Sequence, residues 1–230
     1  MKRNKILERI ERGEKAIGIS LSGTLESAEV VEMCGRLGLD YVNFDGQHSS
    51  MTPETIGRMA YVAEANGLTV GMRIPDHQPS TLVNYLDRGV MQVTAPDLET
   101  ADQARALVAA CYYAPEGKRR CCSFRFGEYG LGEDLTTLMA DCNAKTMIVP
   151  QLESITAFNN LDEILEVPGI DLFGWGPQDL AQSLGHPGEP NHPECVKAQE
   201  IAEAKIRKAG KGLLQDHTES INTLYLIKEA

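Results

Sequence analysis

The sequence predicts an α/β fold of the TIM type: a (β/α)8 barrel, one domain over residues 1–230, with its eighth β/α unit absent. Three observations carry this reading. Short apolar runs alternate with helix-like stretches in strict order, the pattern of a parallel sheet with helical crossovers. Seven strand-like runs occur, more than the five or six of an ordinary doubly wound sheet. Residues able to do chemistry gather just past the C-terminal ends of those runs, where barrel enzymes build their sites.

Taken in order, residues 3–12 form an opening amphipathic helix and Ala16–Ser20 (AIGIS) a first strand. Ser27–Leu37 is helical and ends near Gly38. Tyr41–Phe44 is the second strand, and Glu54–Asn66 a helix with Gly67, a usual stop signal, just after it. Thr69–Arg73 is the third strand, Ser80–Arg88 a helix, Val90–Thr94 the fourth strand and Leu98–Cys111 a helix. Ala114–Gly132, rich in Pro, Gly and Arg, reads as a long loop. Asp134–Cys142 is a helix, Thr146–Gln151 the fifth strand, Ile155–Leu165 a helix and Ile170–Gly174 the sixth strand. Gln178–Leu184 and Pro193–Ala209 are helices, Lys211–Leu214 a seventh strand and Ser220–Glu229 a last helix. A standard barrel has eight strands, so this reading is one short. Either truncation or closure by a partner chain accounts for that, because an open barrel edge in water invites aggregation.

Composition limits the partners. The 230 residues are 42% apolar and 24% charged, which is globular rather than disordered. The net charge of −11 disfavours nucleic acid or an anionic membrane as a partner bound through bulk charge. It leaves room for a small anionic substrate, since local cations and a metal can reverse the field inside a cleft. The six cysteines form no CxxC pair, and adjacent Cys121 and Cys122 suit reduced thiols. The N-terminus lacks the apolar core of a signal peptide, and no apolar run reaches the roughly 18 residues that span a bilayer. The expectation is a soluble, cytoplasmic protein.

The barrel rule selects candidate residues without any motif. After the second strand comes Phe44-Asp45-Gly46-Gln47-His48; the third ends in Met72-Arg73; the fifth ends in Pro150-Gln151-Leu152-Glu153; after the sixth comes Gly174-Trp175-Gly176-Pro177-Gln178-Asp179. Glu153 and Asp179 are separated by about one helix and one strand, which places them on neighbouring strands. Two carboxylates beside open water positions are how proteins hold Mg²⁺, Mn²⁺ or a similar hard cation. Asp179 also opens a helix, where an acid serves as cap or dipole partner, and Glu153 alone would pass for a surface acid. His48 follows a turn-like Asp-Gly pair. Arg73 is placed either for a surface ion pair or for binding an enolate or carboxylate. Asp87, near a helix end, reads most simply as a solvated acid. The N–H groups around Gly176–Gln178 open a helix and offer a seat for a carboxylate. Lys118-Arg119-Arg120 reads as a solvated basic stretch rather than a phosphate site. No GxSxG, HExxH or Walker sequence occurs, and His77, His186, His192 and His217 lack metal-ligand spacing.

The chain resembles the HpcH/HpaI family of metal-dependent (class II) aldolases. The marks are DYVNFDGQH at 40–48, MRIP at 72–75, LDRGV at 86–90, TAPDLETADQA at 94–104 and GKRRCCSFRFGEYG at 117–130. QLES at 151–154 and the long run NNLDEILEVPGIDLFGWGPQDLAQSLGHPGEPNHPE at 159–194 complete them. The resemblance runs from about residue 16 to residue 214. It implies His48 as catalytic base, Asp87 as the acid raising its proton affinity, and Arg73 as the enolate stabiliser. It implies Glu153 and Asp179 as metal ligands, with Gln151, Gln178 and Asp179 at the 2-oxo acid. Three positions depart from the family pattern. Gln47 stands where an acid often precedes the His, and Arg120 and Phe126 replace smaller loop residues.

The implied activity is reversible cleavage of a 4-hydroxy-2-oxo acid to pyruvate and an aldehyde through an enolate, with Mg²⁺, Mn²⁺ or Co²⁺ as cofactor. Aromatic or sugar acid catabolism is its setting, and the implied partners are these small molecules and copies of the chain in a homo-oligomer. Lysine Schiff-base chemistry is disfavoured, because no Lys ends the second, third, fifth or sixth strand. Oxaloacetate decarboxylation, another enolate condensation, or non-catalytic binding of a 2-oxo acid are the alternatives.

Overall fold

Helix α1 (Lys5–Glu11) forms because Asn4 caps it: the Asn4 side-chain oxygen accepts from the N–H of Ile6 at 3.0 Å and, more distantly, of Leu7. The same Asn4 donates to the carbonyl of Lys145 at 2.9 Å, which ties the helix to the far side of the molecule. Ile6 is thereby buried among Ala16, Tyr41, Met147 and Leu172. These are the first residues of four strands, so α1 plugs the N-terminal end of the barrel and leaves the other end for chemistry. The structure, a computed structural model, describes residues 3–21, 27–121, 125, 129, 131–132 and 134–222.

Among these residues, eight strands form one sheet: β1 (Ala16–Leu21), β2 (Tyr41–Asp45), β3 (Thr69–Arg73), β4 (Gln92–Ala95), β5 (Met147–Leu152), β6 (Leu172–Trp175), β7 (Gly212–Leu213) and β8 (Thr218–Asn222). Their order is β7-β6-β5-β4-β3-β2-β1-β8, every neighbouring pair parallel. A sheet whose neighbours follow chain order has no point where the winding reverses, which excludes the doubly wound alternative. Between the strands run α2 (Ala28–Arg36), α3 (Pro53–Ala65), α4 (Pro79–Leu86), α5 (Ala101–Cys111) and α6 (Leu135–Lys145). Then come α7 (Ile155–Asn159), α8 (Leu161–Leu165), α9 (Pro177–Ser183), α10 (Pro193–Lys208) and the single turn α11 (Leu214–His217).

Two elements differ from the sequence reading. The helix expected over 155–165 breaks at Asn160, whose side chain leaves the helical pattern to donate to the carbonyl of Glu99 at 2.9 Å. The start of the helix expected over 220–229 is instead β8, while residues 223–229 lie outside the described residues. The free edge of β1 overrides local preference there. Ile19 pairs with Ile221, and the Tyr41 hydroxyl donates to the carbonyl of Glu219 at 3.2 Å. An eighth strand is therefore present, with no helix following it among the described residues.

Strand alternation sorts the side chains. Val42, Phe44, Val70, Met72 and Val93 are buried in a core shared with Leu82, Leu86 and Leu107 of the surrounding helices. Ser20, Asn43, Asp45, Arg73, Thr94 and Gln151 line a cavity of about 850 Å³ instead. Its polar packing is tight. A Cβ on Gly71 would stand 2.3 Å from Gln92 Oε1 and 2.7 Å from Asn43 Oδ1, so only glycine fits between those two amides. Among the described residues no helix is long and apolar enough to cross a membrane.

Candidate active site

The register of the sheet aligns Asp45, the last residue of β2, with Arg73, the last of β3. The Asp45 carboxylate accepts two bonds from the Arg73 guanidinium, Nε at 3.0 Å and Nη2 at 2.5 Å, a bidentate clamp with little freedom. It also accepts from the backbone N–H groups of Gln47 at 2.9 Å and His48 at 3.2 Å, so the loop carrying His48 is folded over the same carboxylate. The Ser49 hydroxyl closes the loop on the carbonyl of Asp45. Burial pushes the Asp45 carboxyl up, but the bond and charge of Arg73 and the two N–H groups outweigh it, and the net shift is down. Asp45 therefore stays ionised. It went unremarked as a site residue in the sequence, where only its Asp-Gly turn character was visible.

Glu153 follows β5 and is 5% exposed. Its Oε1 accepts from the N–H of Asp97 at 2.6 Å. Its carboxyl is pushed up to about 7, chiefly by burial; the Asp97 N–H opposes this most, the charges of Asp97 and Asp179 add to it, and Arg73 opposes it least. The two acids predicted to converge are thus electrostatic neighbours, although Asp179 itself is exposed in the first turn of α9. Gly176 makes the approach possible. A Cβ there would stand 2.1 Å from Glu153 Oε2, 2.5 Å from Glu153 Cβ and 2.9 Å from Gln151 Nε2. Gln151 is buried beside this point, and Gln178 is exposed in the first turn of α9.

Asp97 completes the group. It follows β4 with φ of 53°, a left-handed conformation unusual for a residue with a side chain. Its carboxylate accepts from Gln47 Nε2 at 3.2 Å, joining the loops after β2 and β4.

Two candidates sit differently from the sequence reading. Asp87 terminates α4 and accepts from Arg119 Nη2 at 2.7 Å; no hydrogen bond joins it to His48 among the described residues. His48 is exposed. Arg119, read from sequence as part of a solvated basic stretch, has a fully buried side chain that also lies 4.7 Å from the Tyr113 ring centroid. Of the loop departures, Arg120 is exposed and Phe126 lies outside the described residues.

Sequence spacing also missed one histidine cluster. The rings of His186 and His192 stack at 3.5 Å, and His186 Nε2 lies 2.9 Å from Glu194 Oε2. One ligand atom from each of the three lies within 4.8 Å of the others. The turns at Gly185 and Gly188, both at positive φ, bring together histidines six residues apart, a spacing no helix or strand would pair.

The chain matches the HpcH/HpaI aldolase/citrate lyase family over residues 21–222. It belongs to that family. A curated relative, 2-keto-3-deoxy-L-rhamnonate aldolase of Escherichia coli O17:K52:H18, is 35% identical over 210 residues, covering 90% of this chain and 77% of the relative. The HpcH/HpaI aldolase of Desulfitobacterium hafniense DCB-2 superposes with a TM-score of 0.87 at 21% identity, over 97% of this chain and 92% of that one. A family protein of Burkholderia cenocepacia J2315 gives 0.85 at 23% identity, over 98% and 96%. This HpcH/HpaI member is an enzyme, a carbon–carbon lyase of the aldolase type. Membership implies a divalent metal. The donor set here fits one. Glu153 is a buried carboxylate whose ionisation is opposed by the charges of Asp97 and Asp179, and its oxygen donors are of the kind a hard divalent cation takes. Gly176 keeps the space at Oε2 clear.

Proposed function

We propose that this protein is a divalent-metal-dependent aldolase that reversibly cleaves a 4-hydroxy-2-oxo acid, a 2-keto-3-deoxy sugar acid in particular, to pyruvate and an aldehyde. The observation carrying it is the buried Glu153 carboxyl, held at about 7 beside Asp97 and Asp179, at the same strand ends as the clamped Arg73. Glu153 and Asp179 would hold Mg²⁺, Mn²⁺ or Co²⁺, and such a cation supplies Lewis acidity that polarises a 2-oxo group and acidifies the adjacent carbon.

The chain's own residues do the rest. Asp45 occupies two of the five N–H donors of Arg73 and fixes its plane, so the remaining donors are oriented before substrate arrives. In this role Arg73 stabilises negative charge growing on the enolate oxygen. His48, on the loop that Asp45 folds, takes the proton from the methyl carbon of pyruvate in the synthetic direction and returns it in cleavage. Gln151 and Gln178 flank Glu153 and Asp179 in sequence and hydrogen-bond the oxo acid. The 850 Å³ cavity has room for a sugar-acid chain. The enzyme works as a homo-oligomer in the cytoplasm, a setting that suits the free Cys34, Cys111 and Cys195 buried in its core.

The test is deuterium exchange at the pyruvate methyl group, with and without chelator, in wild type and Glu153→Ala. Metal-dependent exchange that disappears in the variant supports the assignment. Exchange that survives the chelator overturns it.

A further inference from the structure

Position 47 carries an amide where the family resemblance leads one to expect an acid, so the loop before His48 lacks a negative charge. An acid meets that amide from the loop after β4. Asp97, fifty residues further on, receives the Gln47 amide on its Oδ2 at 3.2 Å and sends its own N–H to Glu153 Oε1 at 2.6 Å. It holds both bonds in a left-handed backbone conformation that is unfavourable for a residue with a Cβ. A carboxylate at position 47 would meet the Asp97 carboxylate as a like charge. An amide at 47 and an acid at 97 therefore form one donor–acceptor unit.

We propose that Asp97 is the positioning acid of this metal centre: its N–H fixes the Glu153 carboxylate, and its carboxylate, oriented by Gln47, supplies the negative charge beside the metal ligands that residue 47 does not. This rests on the assignment of Glu153 as a metal ligand. Partners that orient metal ligands change affinity by roughly 10- to 100-fold when removed. The side chain and the N–H of Asp97 act separately, and substitutions divide them. Asn keeps the N–H and tolerates the left-handed backbone but loses the charge.

The experiment is Mn²⁺ titration followed by electron paramagnetic resonance, alongside thermal melting of the chelator-treated protein. The proteins are wild type, Asp97→Asn, Gln47→Glu, Gln47→Glu/Asp97→Asn and Glu153→Gln. Asp97→Asn is expected to melt near wild type while binding Mn²⁺ about 10-fold more weakly. Gln47→Glu is expected to melt lower, from repulsion between the two carboxylates. The double variant, with one acid again facing one amide, is expected to recover most of the Mn²⁺ affinity that Asp97→Asn loses. A merely structural Asp97 predicts no affinity change in Asp97→Asn and no recovery in the double variant, and either result overturns the inference. Glu153→Gln separates the two assignments. If it abolishes Mn²⁺ binding while Asp97→Asn binds like wild type, the inference about Asp97 alone fails. If it binds Mn²⁺ normally, the metal assignment fails and the inference goes with it.

Discussion

Replacing Gly176 by alanine tests the construction of the site with a single methyl group. The backbone there has φ −114° and ψ 76°, outside the left-handed region, so the substitution carries little conformational strain. Its cost is steric. The new Cβ would stand 2.1 Å from Glu153 Oε2, 2.5 Å from Glu153 Cβ and 2.9 Å from Gln151 Nε2, whereas ordinary contact begins at 3.4 Å. Oε2 alone has to retreat by about 1.3 Å, and the clash with Cβ cannot be relieved by rotating the end of the side chain. Either the start of α9 shifts or Glu153 leaves its position. Overpacking of this size costs about 1–3 kcal/mol. A catalytic group displaced by about 1 Å loses on the order of 100-fold in rate. The matching control is Gly174→Ala, two residues earlier, where the nearest atom is Val149 Cγ1 at 3.5 Å. Urea denaturation and pyruvate exchange rates are measured for both. Gly176→Ala should be less stable and nearly inactive, and Gly174→Ala close to wild type in both respects. Equal behaviour of the two variants would refute the claim that Gly176 exists to admit Glu153.

Four further outcomes are expected. Glu153 has a folded pKa of about 7, above its ordinary 4.5, so its neutral form is the one folding favours. The contribution of this raised group to the stability of metal-free protein is full below about pH 4.5 and is lost as pH climbs through about 7, a span of about 3 kcal/mol. The stability of wild type relative to Glu153→Gln should therefore fall from pH 4.5 to 8 in urea melts, and parallel profiles would contradict the assignment. Mn²⁺ affinity should rise about tenfold per pH unit up to about 7, since the ligand must ionise, and a flat profile would speak against Glu153 as ligand. Arg119→Ala strands Asp87, whose side chain is 13% exposed, and should cost about 3–5 kcal/mol in urea denaturation; a loss below about 1 kcal/mol would mean the pair is solvated. Arg73→Lys removes the fork that Asp45 grips and should lower kcat about 100-fold with a smaller change in KM, whereas a change confined to KM would make Arg73 a binding residue only.

The barrel was legible because two periodicities report it directly. Alternating runs such as YVNFD and TVGMR mark strands, and caps and stops such as Gly67 mark where helices give way. The rule that chemistry sits past strand ends selects Arg73, Glu153 and Asp179 as candidates with no contact known. Asp45 and Asp97 escaped because their roles are hydrogen bonds between strands remote in sequence. Asp45 joins Arg73 across 28 residues, and Asp97 joins Glu153 across 56. The Arg119–Asp87 pair escaped because a run of three basic residues reads as solvated, and only burial distinguishes the middle one. Residues 220–222 form strand where helix is expected, because pairing with β1 outweighs local helical preference.

Pattern along the chain thus set the order of strands and helices through β7, because that depends on neighbours three or four residues away, whereas 220–222 took its form from β1. The ionisation of Glu153, the clamp on Arg73 and the bridge from Gln47 to Asp97 were settled only when distant loops met. Dielectric, charge and hydrogen-bond geometry at a point in space depend on everything that surrounds it, and a linear string does not contain those surroundings.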